Sequence, residues 1–160
     1  MVSLEFGLLN QQERPVFALH YANFECLCLL DTGAQTPIFY RGVHRFLDFA
    51  SSFGKITDEG NTTFYGFGPE PIAANIFKIE DFIFTDDYDK CIHFRNFKVL
   101  VIDKARFEFD MILPAPMFKK MRYCLDYTIP APLITIDSPK DTYYTNFVRK
   151  NGPLYMFLTD

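Results

Sequence analysis

The residues best suited to chemistry are Asp31-Thr32-Gly33-Ala34, which follow the apolar run Cys26-Leu27-Cys28-Leu29-Leu30. An acid at the exit of an apolar strand is either paired or used, because an ionised carboxylate gives up water only at a large free-energy cost. The tripeptide Asp-Thr-Gly occurs once in the 160 residues. Acid–base chemistry with two carboxylates would therefore need one acid from each of two chains. Two such groups in contact do not both ionise cheaply, so they share a proton and titrate as a pair.

Other constellations point nowhere comparable. His20, His44 and His93 have no metal-ligand spacing with one another or with the cysteines, so no metal and no cofactor is expected. Asp86-Asp87-Tyr88-Asp89 lacks the glycine and distal glutamate of a calcium loop and reads as a solvated loop. Asp110 is followed by Met111-Ile112, not by Thr-Gly or Ser-Gly, and reads as a solvated or turn acid. No phosphate-binding glycine loop or Ser/His/Asp spacing is present.

The elements that must position Asp31 begin with a hairpin. Residues 15–30 alternate in character about a tight turn at Ala22-Asn23, and the returning strand delivers Asp31 at its end. Thr36 to Phe39 is extended. Val43, Phe46, Leu47, Ala50 and Phe53 recur at helical spacing and predict a short helix over 41–53. Residues 61–84 read as strand, turn and strand, with Gly66-Phe67-Gly68-Pro69-Glu70-Pro71 at the tip. Phe97 to Ile102 is an apolar strand, Pro114-Ala115-Pro116 opens a single helical turn, and 122–127 with 133–137 form a closing pair. Asn151-Gly152 in the tail is a hairpin signal. One domain over 1–160 is expected, with a C-terminal extension from about residue 138.

Composition narrows the partners. The formal charge is −4 and no basic cluster is longer than Lys119-Lys120, so nucleic acid is not an expected partner. No stretch approaches the roughly 20 apolar residues that span a bilayer, so no membrane partner is expected. No basic start followed by an apolar segment opens the chain, and the four cysteines show no CxxC pair. Reduced thiols in a cytoplasmic protein are the expectation, with Cys26 and Cys28 on one strand face. The aromatic share, with 19 Phe and 9 Tyr, suits strands and interfaces.

In order and content these parts resemble the retropepsins, the single-domain homodimeric aspartic proteases of retroviruses, retroelements and cellular or bacterial relatives. The resemblance runs from about residue 15 to 136 and rests on Leu29-Leu30-Asp31-Thr32-Gly33-Ala34, on Tyr65-Gly66-Phe67-Gly68 and on Met111-Ile112-Leu113. It implies an all-β, closed acid-protease-type barrel with one or two short helices. It implies an endopeptidase in which two Asp31 residues of a homodimer act on an extended polypeptide. Thr32 would reach across the two-fold axis, Gly33 would bring its N–H to the carboxylate where a Cβ would crowd it, and Ala34 would complete the loop. Tyr65, Gly66, Phe67 and Gly68 would form the flap over the substrate. Because Ala34 has no side-chain donor, a pH–rate maximum nearer neutrality than in gastric-type enzymes is expected. The departures are Pro114, where relatives carry glycine, and Pro69 and Pro71 at the flap base. A catalytically silent dimeric peptide-binding module of the same fold would keep the same Asp31.

Overall fold

The computed structural model describes residues 1–9, 14–65, 69–103, 108–149 and 154–159. The hairpin that carries Asp31 consists of β2 (Val16–Tyr21) and β3 (Phe24–Asp31), antiparallel, with the turn at Ala22-Asn23. β3 alternates buried and outward residues until its end, where Leu29 and Leu30 are both buried and force the strand into the interior just before the acid.

Beyond Asp31 the chain turns back as β4 (Ile38–Phe39) and enters α1 (Gly42–Ala50), which tightens into a 3-10 turn at Ser51–Phe53. The helix buries Phe46, Phe49 and Ala50, while Leu47 stays 43% exposed. Of the expected apolar face, Phe46, Ala50 and Phe53 are buried and Val43 packs against the core, but Leu47 stays outside and Phe49, stacked on Phe39 with ring centroids 5.7 Å apart, is buried instead.

β5 (Ile56–Phe64) and β6 (Ile72–Thr85) form the long hairpin. β5 begins five residues before the expected start. Thr57-Asp58-Glu59-Gly60 does not look like a strand because β5 pairs with β6 alone and exposes most of its length, so no apolar alternation is needed. Its register shifts between Asp58 and Asn61, where Gly60 takes φ +97°. β6 runs on into β7 (Cys91–Val101) through a turn organised by Asp86, whose carboxylate accepts the N–H groups of Tyr88, Lys90 and Glu5 at 2.9, 2.9 and 3.0 Å. The turn expected to be solvated therefore has one buried acid at its centre.

β8 (Met111–Pro114) lies between β3, to which it is parallel, and β4, to which it is antiparallel. Pro114 stands opposite Asp31 in that ladder. Its backbone (φ −83°, ψ 151°) is ordinary extended proline, and it opens the 3-10 turn Ala115–Phe118, so the departure from glycine introduces no strain.

β9 (Arg122–Asp126) and β10 (Leu133–Ser138) pair, and β1 (Val2–Gly7) completes a three-stranded sheet in the order β1-β10-β9. β11 (Thr142–Arg149) and β12 (Leu154–Thr159) form the last hairpin. The expected turn at Asn151-Gly152 lies outside the described residues. The larger sheet runs β12-β11-β7-β4-β8-β3-β2, with β6 on the other side of β7 and β5 on β6. The protein is largely β-strand with few helices. Among the described residues the pairing does not close into the expected barrel, because β7 serves three neighbours and the sheet branches there.

Most of the phenylalanines are core. Phe6, Phe17, Phe46, Phe49, Phe82, Phe84, Phe94 and Phe97 belong to one cluster, with Phe82 and Phe97 centroids 4.5 Å apart. A second, smaller cluster includes Ile38, Tyr40, Leu100, Ile112 and Leu154. No helix among the described residues is long and apolar enough to cross a membrane.

Candidate active site

Asp31 is half-buried at the end of β3. The Gly33 N–H donates to its Oδ1 at 2.8 Å, and the Ala34 N–H donates to its backbone carbonyl at 3.3 Å. These two bonds close the turn and fix the carboxylate from one side. A Cβ added to Gly33 would lie 3.4 Å from that Oδ1, an ordinary contact. The expected crowding within the chain is therefore slight. Thr32 is exposed on the outer side of the loop.

Asp31 borders a cavity of about 440 Å³. Ile38, Tyr40, Leu100 and Ile112 from the smaller core cluster form its apolar floor. Thr62, Thr63, Phe64 and Tyr65, at the end of β5, form the opposite wall, with Tyr65 64% exposed. Burial, and then the nearby Asp31 carboxylate, push the Tyr40 phenol well above its usual range, so it stays protonated. Thr36 Oγ1 is buried in the cavity wall with no hydrogen-bond partner among the described residues. Such a hydroxyl is available to a ligand's polar atoms or to water. On the far side of the loop, a second depression of about 360 Å³ reaches Asp31 past Pro15 and Thr32.

The structure thus brings Asp31, Gly33, Ala34 and Tyr65 around one cavity, and turns Thr32 away from it. Gly66, Phe67 and Gly68 lie outside the described residues. Proximity of the β5–β6 hairpin to Asp31 is what the retropepsin resemblance implied. The sequence reading did not find Leu154 and Tyr155, which also line the cavity. The alternation along 154–158 marks a strand, but nothing local says where that strand docks.

Asp110, expected to be solvated, is 6% exposed and fully engaged. Its Oδ2 accepts the Leu27 N–H at 2.9 Å and its Oδ1 accepts from Arg41 Nε at 3.1 Å. Its backbone accepts from Tyr40 N–H and donates to the Leu27 carbonyl, both at 2.8 Å. It clamps β3 to the segment entering α1, beneath the site. Away from the cavity, His93 Nδ1 lies 3.0 Å from Asp81 and its Nε2 3.7 Å from Cys91 Sγ. The arrangement has the order of a thiol relay. Burial, and after it the charges of Asp141, Asp81 and Asp86, push the Cys91 thiol up and keep it protonated.

No family model and no curated protein matches the sequence. Among solved structures, the chain is similar to a retropepsin-like aspartic protease from Rickettsia conorii, with a TM-score of 0.51 at 12% identity over 85% of this chain and 90% of that one. The fold is retropepsin-like. At that identity the likeness extends to the course of the backbone and not to the chemistry. The backbone likeness covers 85% of the chain, while the resemblance read from the sequence ran from about residue 15 to 136.

Proposed function

We propose that the chain is one subunit of a homodimeric aspartic endopeptidase, in which Asp31 and its symmetry copy share a proton and activate water against an extended polypeptide. The observation that carries this reading is the setting of Asp31. Its carboxylate stands at a strand exit, is held by the Gly33 N–H at 2.8 Å, and opens on a cavity whose opposite wall is the arm leading to Gly66-Phe67-Gly68. In this reading one Asp31 acts as base towards water and the other as acid towards the scissile carbonyl, with no covalent intermediate. In the same reading Thr32, exposed beside the second depression, meets the partner subunit, and the residues after Tyr65 act as the flap. The four free thiols fit a reducing, cytoplasmic setting.

The test is digestion of a diverse peptide library by the parent and by Asp31→Asn. The parent should cleave, and the variant should lose at least about a hundredfold in rate, the scale of an acid–base group. Equal cleavage by both would overturn the assignment. Specific activity should also fall on dilution, because dissociated subunits hold half a site each. Specific activity independent of concentration would remove the dimer from the proposal.

A further inference from the structure

The last hairpin reaches the Asp31 cavity from a direction that the sequence motifs do not cover. β11 is anchored to β7 where Asn96 takes φ +57° and interrupts the ladder to β6. Thr145 Oγ1, buried there, bridges the carbonyl oxygens of Arg95 and Asn96 at 2.7 and 2.5 Å. From that anchor the hairpin makes two contacts with parts of the site. The Met156 N–H donates to the Gln35 carbonyl of the active-site loop at 3.0 Å. Arg149 Nη1 donates to Thr62 Oγ1 of β5 at 2.7 Å. Leu154 and Tyr155 belong to the same hairpin and both line the cavity.

We propose that the β11–β12 hairpin is the third wall of the Asp31 cavity. Tyr155 sets the size of the side chain admitted, and Arg149 is a positioning residue that holds the flap arm β5 through Thr62. This rests on the peptide-binding reading of the cavity given above. The two wall residues differ in kind. Leu154 is buried among Ile38, Leu100 and Ile112, so its loss would disturb the floor. Tyr155 is half-buried, at the open side, so it can be shortened without emptying the core. Arg149 is exposed and does not itself line the cavity; it touches the lining residue Thr62, so its effect on a ligand passes through Thr62. A charge-assisted bond between two strand surfaces limits how far the arm moves without being needed for folding.

The experiment measures binding in the Asp31→Asn background, so the result does not depend on cleavage. Labelled hexapeptides that differ at one central position (Ala, Val, Leu, Phe, Tyr) are titrated against Asp31→Asn and against its Tyr155→Ala, Arg149→Ala and Arg149→Lys derivatives. Tyr155→Ala should shift the ratio of affinities towards Phe and Tyr over Ala by about tenfold, the scale of a pocket changed by several carbons. Arg149→Ala should weaken all five peptides alike, and Arg149→Lys should recover part of the loss. Equal stability of the variants in denaturant checks that the wall and not the fold has changed. An unchanged affinity ratio in Tyr155→Ala overturns the proposal, as does the absence of peptide binding altogether. If these shifts appear while the parent fails to cleave any peptide, the wall stands and the protease reading falls.

Discussion

Arg41 Nε stands 3.1 Å from Asp110 Oδ1, and this pair divides the labour between the two acids near the cavity. Asp110 is buried, ion-paired with Arg41 and hydrogen-bonded to the Leu27 N–H. Among the described residues the Asp31 carboxylate accepts one hydrogen bond, from the Gly33 N–H, and it borders the cavity. One acid holds β3 in place so that the other is presented at its end.

The structural role of Asp110 has a direct consequence. Asp110→Ala removes the carboxylate that Arg41 Nε meets at 3.1 Å and leaves the Leu27 N–H without this acceptor. Removing one partner of a buried pair costs about 3–5 kcal/mol. Denaturant unfolding should show a loss on that scale with an unchanged slope. A loss under about 1 kcal/mol would mean that water replaces the carboxylate freely.

The loop chemistry gives a second outcome. The Ala34 N–H is spent on the Asp31 backbone carbonyl, and its methyl offers no donor to the carboxylate. Ala34→Ser would add a hydroxyl beside a group that accepts one side-chain bond at present. A donor to an ionised carboxylate favours that form. The acid limb of the pH–rate profile should therefore move to lower pH in Ala34→Ser, while the parent retains its maximum above about pH 3. A profile that does not move would place the new hydroxyl out of reach.

His20 ties the Asp31 hairpin to the acidic turn. Its Nδ1 lies 2.9 Å from Asp87 and its Nε2 2.9 Å from Glu25. The Asp87 bond, opposed by partial burial and aided by Glu25, raises the imidazole above its usual 6.5. A group whose folded pKa is raised stabilises fully below its unfolded pKa and loses that contribution as pH climbs through the folded value. Wild type should exceed His20→Gln in unfolding midpoint near pH 5.5, and the difference should vanish by about pH 9. Both partners are half-exposed, so the gap should stay below about 1 kcal/mol. A gap that widens with pH would contradict the assignment.

How much of this was legible in the sequence depends on how local each signal is. The hairpin before Asp31 could be read because Val16 to Leu30 alternate about a two-residue turn, and both strand faces answer to one core. The start of β5 could not, because an exposed edge strand needs no apolar alternation and Thr57 to Gly60 show none. Asp110 looked like a surface acid because its partners Leu27 and Arg41 are 83 and 69 residues away in sequence. The same distance problem hid Tyr155: its strand is visible, but the bond from Met156 to Gln35 that docks it is a tertiary fact. Asp31 itself was legible because the strand, the turn and the acid are contiguous.

The cysteines supply a test of the strand assignment that is independent of function. Cys26 and Cys28 are fully buried, with Sγ atoms 3.8 Å apart on one face of β3. Burial first, and then the neighbouring Cys28, push the Cys26 thiol well up, so the thiolate that reacts with disulfide reagents is scarce. Cys124 is exposed and Cys91 half-buried. Under native conditions an aromatic disulfide reagent should label Cys124 quickly and Cys91 slowly, because burial, and after it the surrounding acids, hold the Cys91 proton. Cys26 and Cys28 should react after denaturant is added, at the rate of unfolding. Fast native labelling of either would mean that β3 opens locally. The strand that presents Asp31 would then not be the rigid support that a shared-proton pair requires.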